Sequence, residues 1–351
     1  MTLDELIRST GEWLRGVGPL SDVVVSSRVR LARNLAIHPF LATSSKTDQT
    51  EIYRTITDEL RRIHPGDDTI LVDLEKADAI DRQVLVERHL ISRQHAAVDG
   101  TRGVSFSKSE TSAIMINEED HLRIQTLRSG SQLESAWREA SSIDDLLGES
   151  LAFAFDRRLG YLTACPTNVG TGIRVSVMVH LPALKLTKEI ERVARAARDM
   201  RLAIRGLYGE GTEAVGDLYQ ISNQTTLGQS EEEILKTLTE KTIPKIVEYE
   251  QLARETLAKR RPTQLDDKIW RSYGVLCNAR RVTSEETQAL LSPIRMGIQM
   301  GRFSEFDMVT LNEVFLHSQS AHLQKLHGSP LDDEERPIVR AEYLRRRLGS
   351  S

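Results

Sequence analysis

The sequence predicts an α+β protein: an antiparallel sheet with flanking helices, followed by a small all-α domain. Apolar and polar residues alternate through about residues 22–31 and 173–181, and shorter segments at about 112–117 and 161–164 are also predicted to be strands. These segments do not alternate with helices in regular βαβ units, which favours an antiparallel sheet with helices on one side. Beyond residue 262 only helical periodicity remains, which predicts the second domain.

The first predicted strand carries cationic side chains on one face. Its apolar residues are expected on the other face, namely Val23, Val25, Val29 and Leu31. The polar face carries Ser26, Arg28 and Arg30. Arginine keeps its charge, and its planar fork binds two oxygens at once, so the pattern suits a polyphosphate ligand. Any antiparallel sheet with one hydrated face alternates in this way, so a single strand favours a purely structural explanation.

The strand at about 173–181 repeats this pattern. Its inward residues are expected to be Ile173, Val175, Val177, Val179 and Leu181, and its outward residues Arg174, Ser176, Met178 and His180. The sequence has no GxxxxGK[ST] loop, no GxGxxG loop and no protein-kinase catalytic signature. If a nucleotide binds to this protein, arginine side chains must hold its phosphates.

Residues 117–123, Asn-Glu-Glu-Asp-His-Leu-Arg, combine adjacent carboxylates with an arginine. In an extended strand Glu119, His121 and Arg123 would share one face, while Glu118 and Asp120 would take the other. A carboxylate base and a guanidinium could then meet one substrate, which suits phosphoryl transfer to a very weak base. Taken alone, these residues are explained equally well as solvated charges at a strand end.

Helices are predicted on both sides of a domain boundary near residue 260. A helix at about 187–202 would bury Ile190, Val193, Ala194, Ala197 and Met200. Ser230 and Glu233 predict a capping box for a long helix that Pro244 would kink and that ends near Pro262. We therefore expect a catalytic domain over residues 1–260 and a helical domain, suited to dimerisation, over residues 263–351.

Three motifs resemble those of a known family. Residues 25–30 (Val-Ser-Ser-Arg-Val-Arg), residues 117–123 and residues 165–174 (Cys-Pro-Thr-Asn-Val-Gly-Thr-Gly-Ile-Arg) resemble, in order, the signatures of the guanidino or phosphagen kinases. Residues 13–16, 205–216 and 220–224 are more similar to the bacterial protein-arginine kinases of that family. The resemblance covers nearly the whole chain. It implies a phosphagen-kinase catalytic domain with a glutamine-synthetase-like sheet.

The resemblance also implies roles for individual residues. The implied ATP contacts are Ser26, Arg28, Arg30, His89, Arg123, Arg174, Arg205 and Gly206. Glu119 corresponds to the catalytic carboxylate, with Glu118 beside it and Cys165 as the thiol near the guanidine. The implied contacts of the substrate guanidinium are Glu210, Thr167 and Asn168. ATP and Mg²⁺ are expected to bind, without a metal held by the protein alone. Without the resemblance, a small buried apolar thiol would explain Cys165 better.

Two departures from the small-metabolite kinases favour a protein substrate. Leu207 and Tyr208 stand where creatine kinases have two small residues, threonine and glycine. The first signature already begins near residue 26, whereas in phosphagen kinases a helical domain precedes it. We expect a kinase for exposed arginines of proteins. The alternatives are a kinase for free arginine or another small guanidine, and an inactive relative that recognises phosphoarginine or a repressor. The resemblance further implies a homodimer whose partners are a heat-shock repressor, a zinc-binding activator protein and a Clp ATPase.

Composition limits the class of protein. The chain has 351 residues, a net charge of −4 and two cysteines far apart, which indicates no disulfide framework and suggests a reducing cytoplasm. No apolar run reaches the roughly 18 residues of a membrane span. The charge indicates neither a nucleic-acid nor a membrane partner. We expect a cytoplasmic enzyme.

Residues 336–341, Arg-Pro-Ile-Val-Arg-Ala, resemble an RDxxRA motif that implies a second, regulatory site for phosphoarginine. Pro337 stands in place of the aspartate and offers no side-chain acceptor. Arg336 and Arg340 would face the same side of a helix and could hold a phosphate. We expect weak phosphoarginine binding there and little effect of Arg340→Ala on basal activity, unless a nearby carboxylate substitutes for the aspartate: Asp332, Asp333, Glu334 or Glu335.

Overall fold

The computed structural model describes residues 3–63, 68–97, 99–207 and 214–349. Its strands are β1 Val24–Arg33, β2 Thr69–Asp73, β3 Gly103–Ser107, β4 Ser112–Ile116, β5 Leu122–Ser129, β6 Phe155–Asp156, β7 Gly160–Tyr161, β8 Ile173–His180, β9 Leu202–Arg205 and β10 Leu218–Asn223. Its α-helices are α1 Leu3–Leu6, α2 Lys46–Ile63, α3 Ala79–Glu87, α4 Arg93–Ala97, α5 Leu133–Gly148, α6 Pro182–Leu186, α7 Ile190–Asp199, α8 Glu231–Lys236, α9 Ile243–Arg260, α10 Pro262–Asn278, α11 Ser284–Gln299, α12 Met308–His317, α13 Ser320–His327 and α14 Glu335–Leu348.

Eight strands form one sheet in the order β2-β3-β4-β5-β1-β8-β10-β9, and each neighbouring pair is antiparallel. The predicted fold class is confirmed, because helices flank this sheet and α10–α14 follow it. The strand expected at about 161–164 is wrong beyond Tyr161. The backbone N–H of Ala164 donates to the side chain of Asp120, 2.7 Å away, instead of to a neighbouring strand.

One face of the sheet is sealed by helices. The inward residues of β1 and β8, including Val29, Leu31, Val175 and Val177, are buried and share a core with residues of α2, α5 and α9. Burying an aliphatic side chain contributes about 1.5–3 kcal/mol. The apolar half of each alternating strand therefore determines which face packs on helices and which face is left for polar groups.

A bulge changes the expected facing of one residue of β1. The pairing of β1 with β8 shifts register between Val24 and Ser26. As a result Val24 joins the core beneath the sheet, whereas Val25 packs with Leu127 and Met178 on the opposite face. The expectation that Val25 shares a face with Val29 is therefore wrong, because an extra residue in a strand reverses the alternation locally.

The helical domain covers part of the polar face. The alternation of β8 predicted that Met178 and His180 face solvent, but both are buried. Met178 belongs to a second core formed mainly by α10–α14. His180 lies 2.9 Å from the hydroxyl of Ser292 in α11. The expectation of a hydrated face is wrong for this end of β8, because the following domain folds back onto it.

The helices differ from expectation at their ends. The helix expected at about 187–202 covers only Ile190–Asp199, since Lys188 and Arg201 adopt left-handed backbone angles on either side. The capping box of Ser230 and Glu233 is confirmed. Residues 231–260 are helical without a break, because α8 continues through the π-helical segment Thr237–Thr242 into α9. Pro244 follows that segment in the first turn of α9, where its missing N–H is tolerated. In the part of the chain that the structure describes, no helix is long and apolar enough to cross a bilayer.

Candidate active site

Four strands present arginines on one face of the sheet: Arg28 and Arg30 of β1, Arg123 of β5, Arg174 of β8 and Arg205 of β9. Residues directly opposite each other on antiparallel strands share a face. Arg30 lies opposite Arg174, Arg28 opposite Ser176, Arg123 opposite Ala32 and Arg205 opposite Gln220. The structure thus brings together the arginines that the sequence nominated as nucleotide contacts.

Arg28 and Arg30 have no carboxylate partner among the described residues. Arg28 donates to the amide oxygen of Gln220 at 2.8 Å and to the hydroxyl of Ser176 at 3.5 Å. The Nε of Arg30 is buried without a hydrogen-bond acceptor. Burial, and then repulsion from neighbouring arginines, lowers the pKa of Arg28 to about 10 and that of Arg30 well below its ordinary value. A bound anion would reduce the repulsion among these arginines, so the cluster is suited to bind one.

Glu118 and Glu119 both contact Arg123. Glu118 Oε2 lies 2.7 Å from one terminal nitrogen of Arg123, and Glu119 Oε2 lies 2.9 Å from the other. The expectation that the two glutamates take opposite faces is wrong, because residues 117–121 form a tight turn rather than a strand. Asn117 has a φ of 58°, and its N–H bonds to the carbonyl of His121 at 3.0 Å. The turn directs both carboxylates to one guanidinium.

The two glutamates differ in environment. Glu118 is buried and accepts a hydrogen bond from the Ser92 hydroxyl at 2.6 Å. Burial alone would raise the pKa of Glu118, but Arg123 and then Ser92 outweigh it and lower this pKa. Glu119 is more open, with 36% of its side chain exposed, and burial raises its pKa despite the charge of Arg123. Glu118 is held as an anion, and Glu119 is the better proton acceptor.

The remaining residues of this turn are structural. His121 is fully buried; its Nδ1 accepts from the backbone N–H of Leu35 at 3.0 Å, and its Nε2 lies 3.0 Å from the carbonyl of Pro39. It therefore does not share the face of Glu119 as alternation suggested. Asp120 is also buried and accepts from Asn34 and from the backbone of Ala164, each at 2.7 Å. Asp120 ties the glutamate turn to the segment before Cys165.

Cys165 lies at the start of the 3₁₀ turn Pro166–Asn168 and is partly exposed. Its Sγ is 3.0 Å from the hydroxyl of Thr167. The carbonyls of Thr167 and Val169 accept from Thr226, which anchors the turn. The link from Asp120 to Ala164 brings the Cys165 segment against the glutamate turn. Asn168 belongs to the same 3₁₀ turn, and Glu210 lies outside the described residues.

His89 closes one end of the arginine face. It lines a pocket with Trp13, Ser26, Arg28, Leu127, Ser176, Met178 and Gln220. Its ring meets Trp13 edge to face at a centroid distance of 4.3 Å. Burial, and then the charges of Arg28 and neighbouring arginines, lowers the pKa of His89 to about 3, so the ring is neutral at physiological pH. The pocket lining combines aromatic, thioether and aliphatic groups with the polar side chains of Ser26, Ser176 and Gln220 and the charge of Arg28.

Sequence reasoning missed several residues that shape the site. Trp13 lies in residues 13–16, a segment that carries the family resemblance, but no role was predicted for it. Ser92 and Arg102 lie in no motif, and Arg102 donates to the Glu118 carbonyl at 3.3 Å. Gln220 and Ser222 alternate on β10, and Ser222 accepts from Arg174 at 3.4 Å. That alternation is a signal that could have found both. Gly206, predicted beside Arg205, is buried just after β9.

The two arginines of the C-terminal motif lie on α14 in different environments. Arg340 is 2% exposed and donates to the carbonyls of Ser318 at 2.7 Å and Val282 at 3.1 Å. Burial, and then repulsion from Arg336, lowers the pKa of Arg340 to about 10. Arg336 is partly exposed and pairs with Asp333. Pro337 lies in the first turn of the helix, as expected.

This arrangement, a carboxylate pair beside an arginine-lined sheet face, defines the class of protein. A family model described as the ATP:guanido phosphotransferase C-terminal catalytic domain matches residues 51–253, which is more than half of the chain. The chain belongs to the ATP:guanido phosphotransferase family and is a phosphotransferase. A second model, the protein-arginine kinase McsB C-terminal domain, matches residues 262–351. Within the family the chain therefore groups with the protein-arginine kinases.

Individual relatives agree with this placement. The chain is 45% identical to the protein-arginine kinase of Halothermothrix orenii over 99% of both chains, and 46% identical to that of Symbiobacterium thermophilum over 100% of both. Among solved structures, lombricine kinase is 28% identical with a TM-score of 0.58 over 68% of each chain. The duplicated taurocyamine kinase from Schistosoma mansoni, with bound transition-state-analog components, is 28% identical with a TM-score of 0.61 over 71% of this chain and 36% of that one.

Proposed function

We propose that this chain transfers the γ-phosphoryl group of ATP to arginine side chains of proteins. One observation carries the proposal: an arginine of the cationic sheet face, Arg123, contacts both Glu118 and Glu119, so anion-binding and proton-accepting groups meet in one groove. The protein-arginine kinases that resemble the chain along its whole length support an arginine acceptor in a protein.

The arginine face would hold the phosphates of ATP. Arg28 and Arg30 repel each other and their neighbours in the described structure, so a polyphosphate would relieve an unfavourable charge cluster. The base would bind beside His89, where the described cavity of about 10 Å³ would have to widen to admit it. Among the described residues, no group of His, Cys, Asp or Glu side chains could hold a metal by itself. Mg²⁺ commonly binds through substrate phosphates and water, where it neutralises charge on the β- and γ-phosphates.

The carboxylates would activate the acceptor. A guanidinium has a pKa above about 12, so a neutral nucleophilic nitrogen at pH 7 costs roughly 7 kcal/mol or more. Glu119 would take the proton as the nitrogen–phosphorus bond forms and the bond from the γ-phosphorus to the bridging oxygen of ADP breaks. Burial raises the pKa of Glu119 and makes it a better base. Holding the reactants in line contributes roughly 7–11 kcal/mol more.

The acceptor guanidinium would be held from two sides. Either Glu118, which Arg123 keeps ionised, or Glu210 would fix the planar guanidinium. The oxygens of Glu118 already accept from Ser92 and Arg123, so it would add at most a further contact. Cys165 and Thr167 lie on the segment tied to the glutamate turn, and with Asn168 and Glu210 they complete the proposed substrate set.

One experiment distinguishes this function from its alternatives. The protein is incubated with ATP, Mg²⁺ and either free arginine, an arginine-rich protein, or the same protein with lysine at each arginine. We expect an acid-labile phosphoramidate signal in ³¹P NMR with the arginine-rich protein alone. A product on free arginine would select a small-guanidine kinase. ATP binding without any product would select a regulatory binder.

We further propose, on the resemblance to bacterial protein-arginine kinases, a role in protein quality control. Phosphoarginine would mark damaged proteins for a Clp protease and inactivate a heat-shock repressor in the cytoplasm, with a homodimeric kinase and a zinc-binding activator protein. A proteolytically inactive Clp protease from the same organism should trap phosphoarginine proteins when the kinase is wild type. It should trap none when the kinase carries Glu119→Gln.

The C-terminal motif would serve as a weak phosphoarginine sensor. Arg336 is partly exposed, and its partner Asp333 would supply only a weak guanidinium contact in place of the missing aspartate, because 92% of the Asp333 side chain is exposed to solvent. Arg340 instead bonds to carbonyls at the start of α11 and between α12 and α13, so Arg340→Ala is expected to lower stability. Titration with phosphoarginine should show weak binding that Asp333→Asn abolishes. Tight binding that survives Asp333→Asn would contradict this role.

A further inference from the structure

Glu87, the last residue of α3, joins the catalytic domain to the helical domain. Its side chain is 2% exposed and lies at the N-terminus of α13. It accepts hydrogen bonds from the backbone N–H groups of Ala321 at 2.9 Å and His322 at 3.1 Å, and it lies 2.7 Å from His322 Nδ1. A buried carboxylate is stabilised there by the unpaired N–H groups and the positive end of the helix.

The next residue, Arg88, reinforces this junction. It is fully buried and donates from Nε to a carboxylate oxygen of Glu110 at 2.9 Å. One terminal nitrogen donates to the carbonyl of Ser9 at 2.9 Å and lies 3.3 Å from His322 Nε2. The imidazole of His322 is thus bracketed by Glu87 and Arg88. A network of buried charges with all members paired allows little movement of the chain that carries them.

The third residue of this run, His89, lines the nucleotide pocket. Its φ of 58° is a left-handed conformation, which a non-glycine residue keeps only when its surroundings hold it. Its carbonyl accepts from Gln125 at 2.7 Å, and its ring packs on Trp13. Trp13 in turn meets Phe315 of α12 at a centroid distance of 6.1 Å. Both aromatic walls of the pocket are therefore backed by the helical domain.

We propose that Glu87 is a positioning residue for ATP: it anchors the end of α3 on α13 and so holds His89 in the pocket. This inference rests on the proposed assignment of that pocket to the nucleotide. The helical domain then contributes to ATP affinity without touching ATP. By thermodynamic reciprocity, ATP then strengthens the contact between α3 and α13. A ligand that alters this contact would change ATP affinity by the same factor by which ATP changes the affinity for that ligand.

The main variant is Glu87→Gln, which keeps the shape of the side chain and removes its charge. We expect the KM and the dissociation constant for ATP to rise by about tenfold, within the range typical of coupling between sites. The kcat at saturating ATP and the KM for the protein acceptor should not change, because Glu87 touches neither the carboxylates nor the acceptor. A general loss of folded structure would lower kcat as well.

The matched control is Asp81→Asn. Asp81 pairs with Lys325 at 2.5 Å and so links the same two helices at the edge of their contact. This pair does not hold the residues next to His89. We expect unchanged ATP affinity in this variant. An equal loss in both variants would show that any contact between α3 and α13 suffices, and would overturn the specific role of Glu87.

A double-mutant cycle with His89→Ala tests whether Glu87 acts through His89. We expect Glu87→Gln to weaken ATP binding in the wild-type background and to have no further effect in the His89→Ala background. Additive losses would overturn the inference, and so would normal ATP binding by Glu87→Gln when His89→Ala binds weakly. Normal ATP binding by His89→Ala itself would instead overturn the assignment of the pocket, and the coupling with it.

A second variant covers the case in which Glu87→Gln does not fold. Ala321→Pro removes one N–H donor to Glu87 in the first turn of α13, where proline is tolerated. We expect a smaller rise in the KM for ATP, by about threefold, with kcat unchanged. Ala321→Ser, which keeps the N–H, should bind ATP normally. Equal ATP affinity in the Pro and Ser variants would overturn the inference.

Discussion

Two arginines three residues apart on β1 have contrasting surroundings. Arg33 is 2% exposed, and its guanidinium contacts both oxygens of Asp144 at 2.6–3.2 Å while lying 3.5 Å from the ring centre of Tyr161. Arg30 has no carboxylate partner among the described residues and faces Arg174 across the sheet. Arg33, which supports the fold, is neutralised by a carboxylate. Arg30, on the face proposed to bind an anion, lies beside another arginine instead.

The same contrast separates the carboxylates that pair with the two arginines of β5, Arg123 and Arg128. Glu139 pairs with Arg128 away from the groove, whereas Glu119 shares Arg123 with Glu118 within it. A pair formed by one arginine and one carboxylate is complete. Two carboxylates that share one arginine carry a net negative charge, which can form an ion pair with the guanidinium of a substrate. This difference distinguishes the candidate site from the many ion pairs of the surface.

The largest effect is expected for Glu119→Gln. Loss of the proton acceptor should lower kcat by about 10²–10⁴-fold, while ATP binding and the unfolding midpoint stay normal. Glu139→Gln makes the same change in a completed pair and should remain fully active. Steady-state kinetics and urea unfolding of both variants check this. Near-normal turnover of Glu119→Gln would show that the carboxylate of Glu119 is not the catalytic base.

Replacing Arg33 or Arg30 of β1 by alanine, each in a separate variant, should distinguish an effect on stability from an effect on ATP binding. Arg33→Ala leaves Asp144 buried without a partner and should cost about 3–5 kcal/mol of unfolding free energy. Arg30→Ala relieves repulsion and should leave stability unchanged or higher, but it should abolish detectable stabilisation by ATP. Urea unfolding with and without ATP measures both quantities. If the two variants were destabilised equally, Arg30 would be a structural residue like Arg33, and its proposed binding role would be contradicted.

The next effect is expected for Arg174→Ala, on the strand β8 that neighbours β1. On the proposed assignment, this change removes a charge-assisted contact to the phosphates that is made in the ATP complex and in the transition state alike. Affinity for ATP and kcat/KM should fall together by about 10–150-fold, the equivalent of a hydrogen bond to a charged group. Calorimetry and kinetics on one preparation test this. Unchanged nucleotide binding would exclude Arg174 from the phosphate site.

A smaller effect is expected at the acceptor end of the groove. Cys165→Ser keeps a hydrogen-bonding group near Thr167 and removes the thiol, so the KM for the acceptor should rise by less than about tenfold. Inhibition by thiol reagents should disappear, while Cys277→Ser should retain it. A fully active Cys165→Ser enzyme would mean that the thiol only fills space.

The smallest expected effect is a shift of the acid limb of the pH–rate profile. Burial raises the pKa of Glu119, and below that pKa the residue is protonated and cannot accept a proton. Activity should therefore fall as the pH decreases through a value above the ordinary glutamate pKa of about 4.3. The limb should be absent from the residual activity of Glu119→Gln. An acid limb at the ordinary glutamate value would contradict the shift.

Local rules predicted much of the fold and of the nucleotide end of the site. Alternation in β1 and β8 is a property of any extended chain, so the shared face of Arg28, Arg30 and Arg174 followed once these segments were recognised as strands. The same rule failed at Val25, where a bulge intervenes, and at residues 117–121, where the chain turns. Alternation holds only while the backbone stays extended and in register.

The sequence by itself determined the chemistry of this protein, because the side chains of its motifs and their spacing on strands are local properties. Only the tertiary structure decided which groups meet. Glu118 and Glu119 share Arg123 because a tight turn is held by contacts from distant segments, such as the bond from Asn117 to the carbonyl of Gln49 at 2.8 Å. His89 reaches Trp13 because α3 packs on α13 more than two hundred residues later in the chain. Contacts of such separation depend on the packing of whole domains, which no local pattern records.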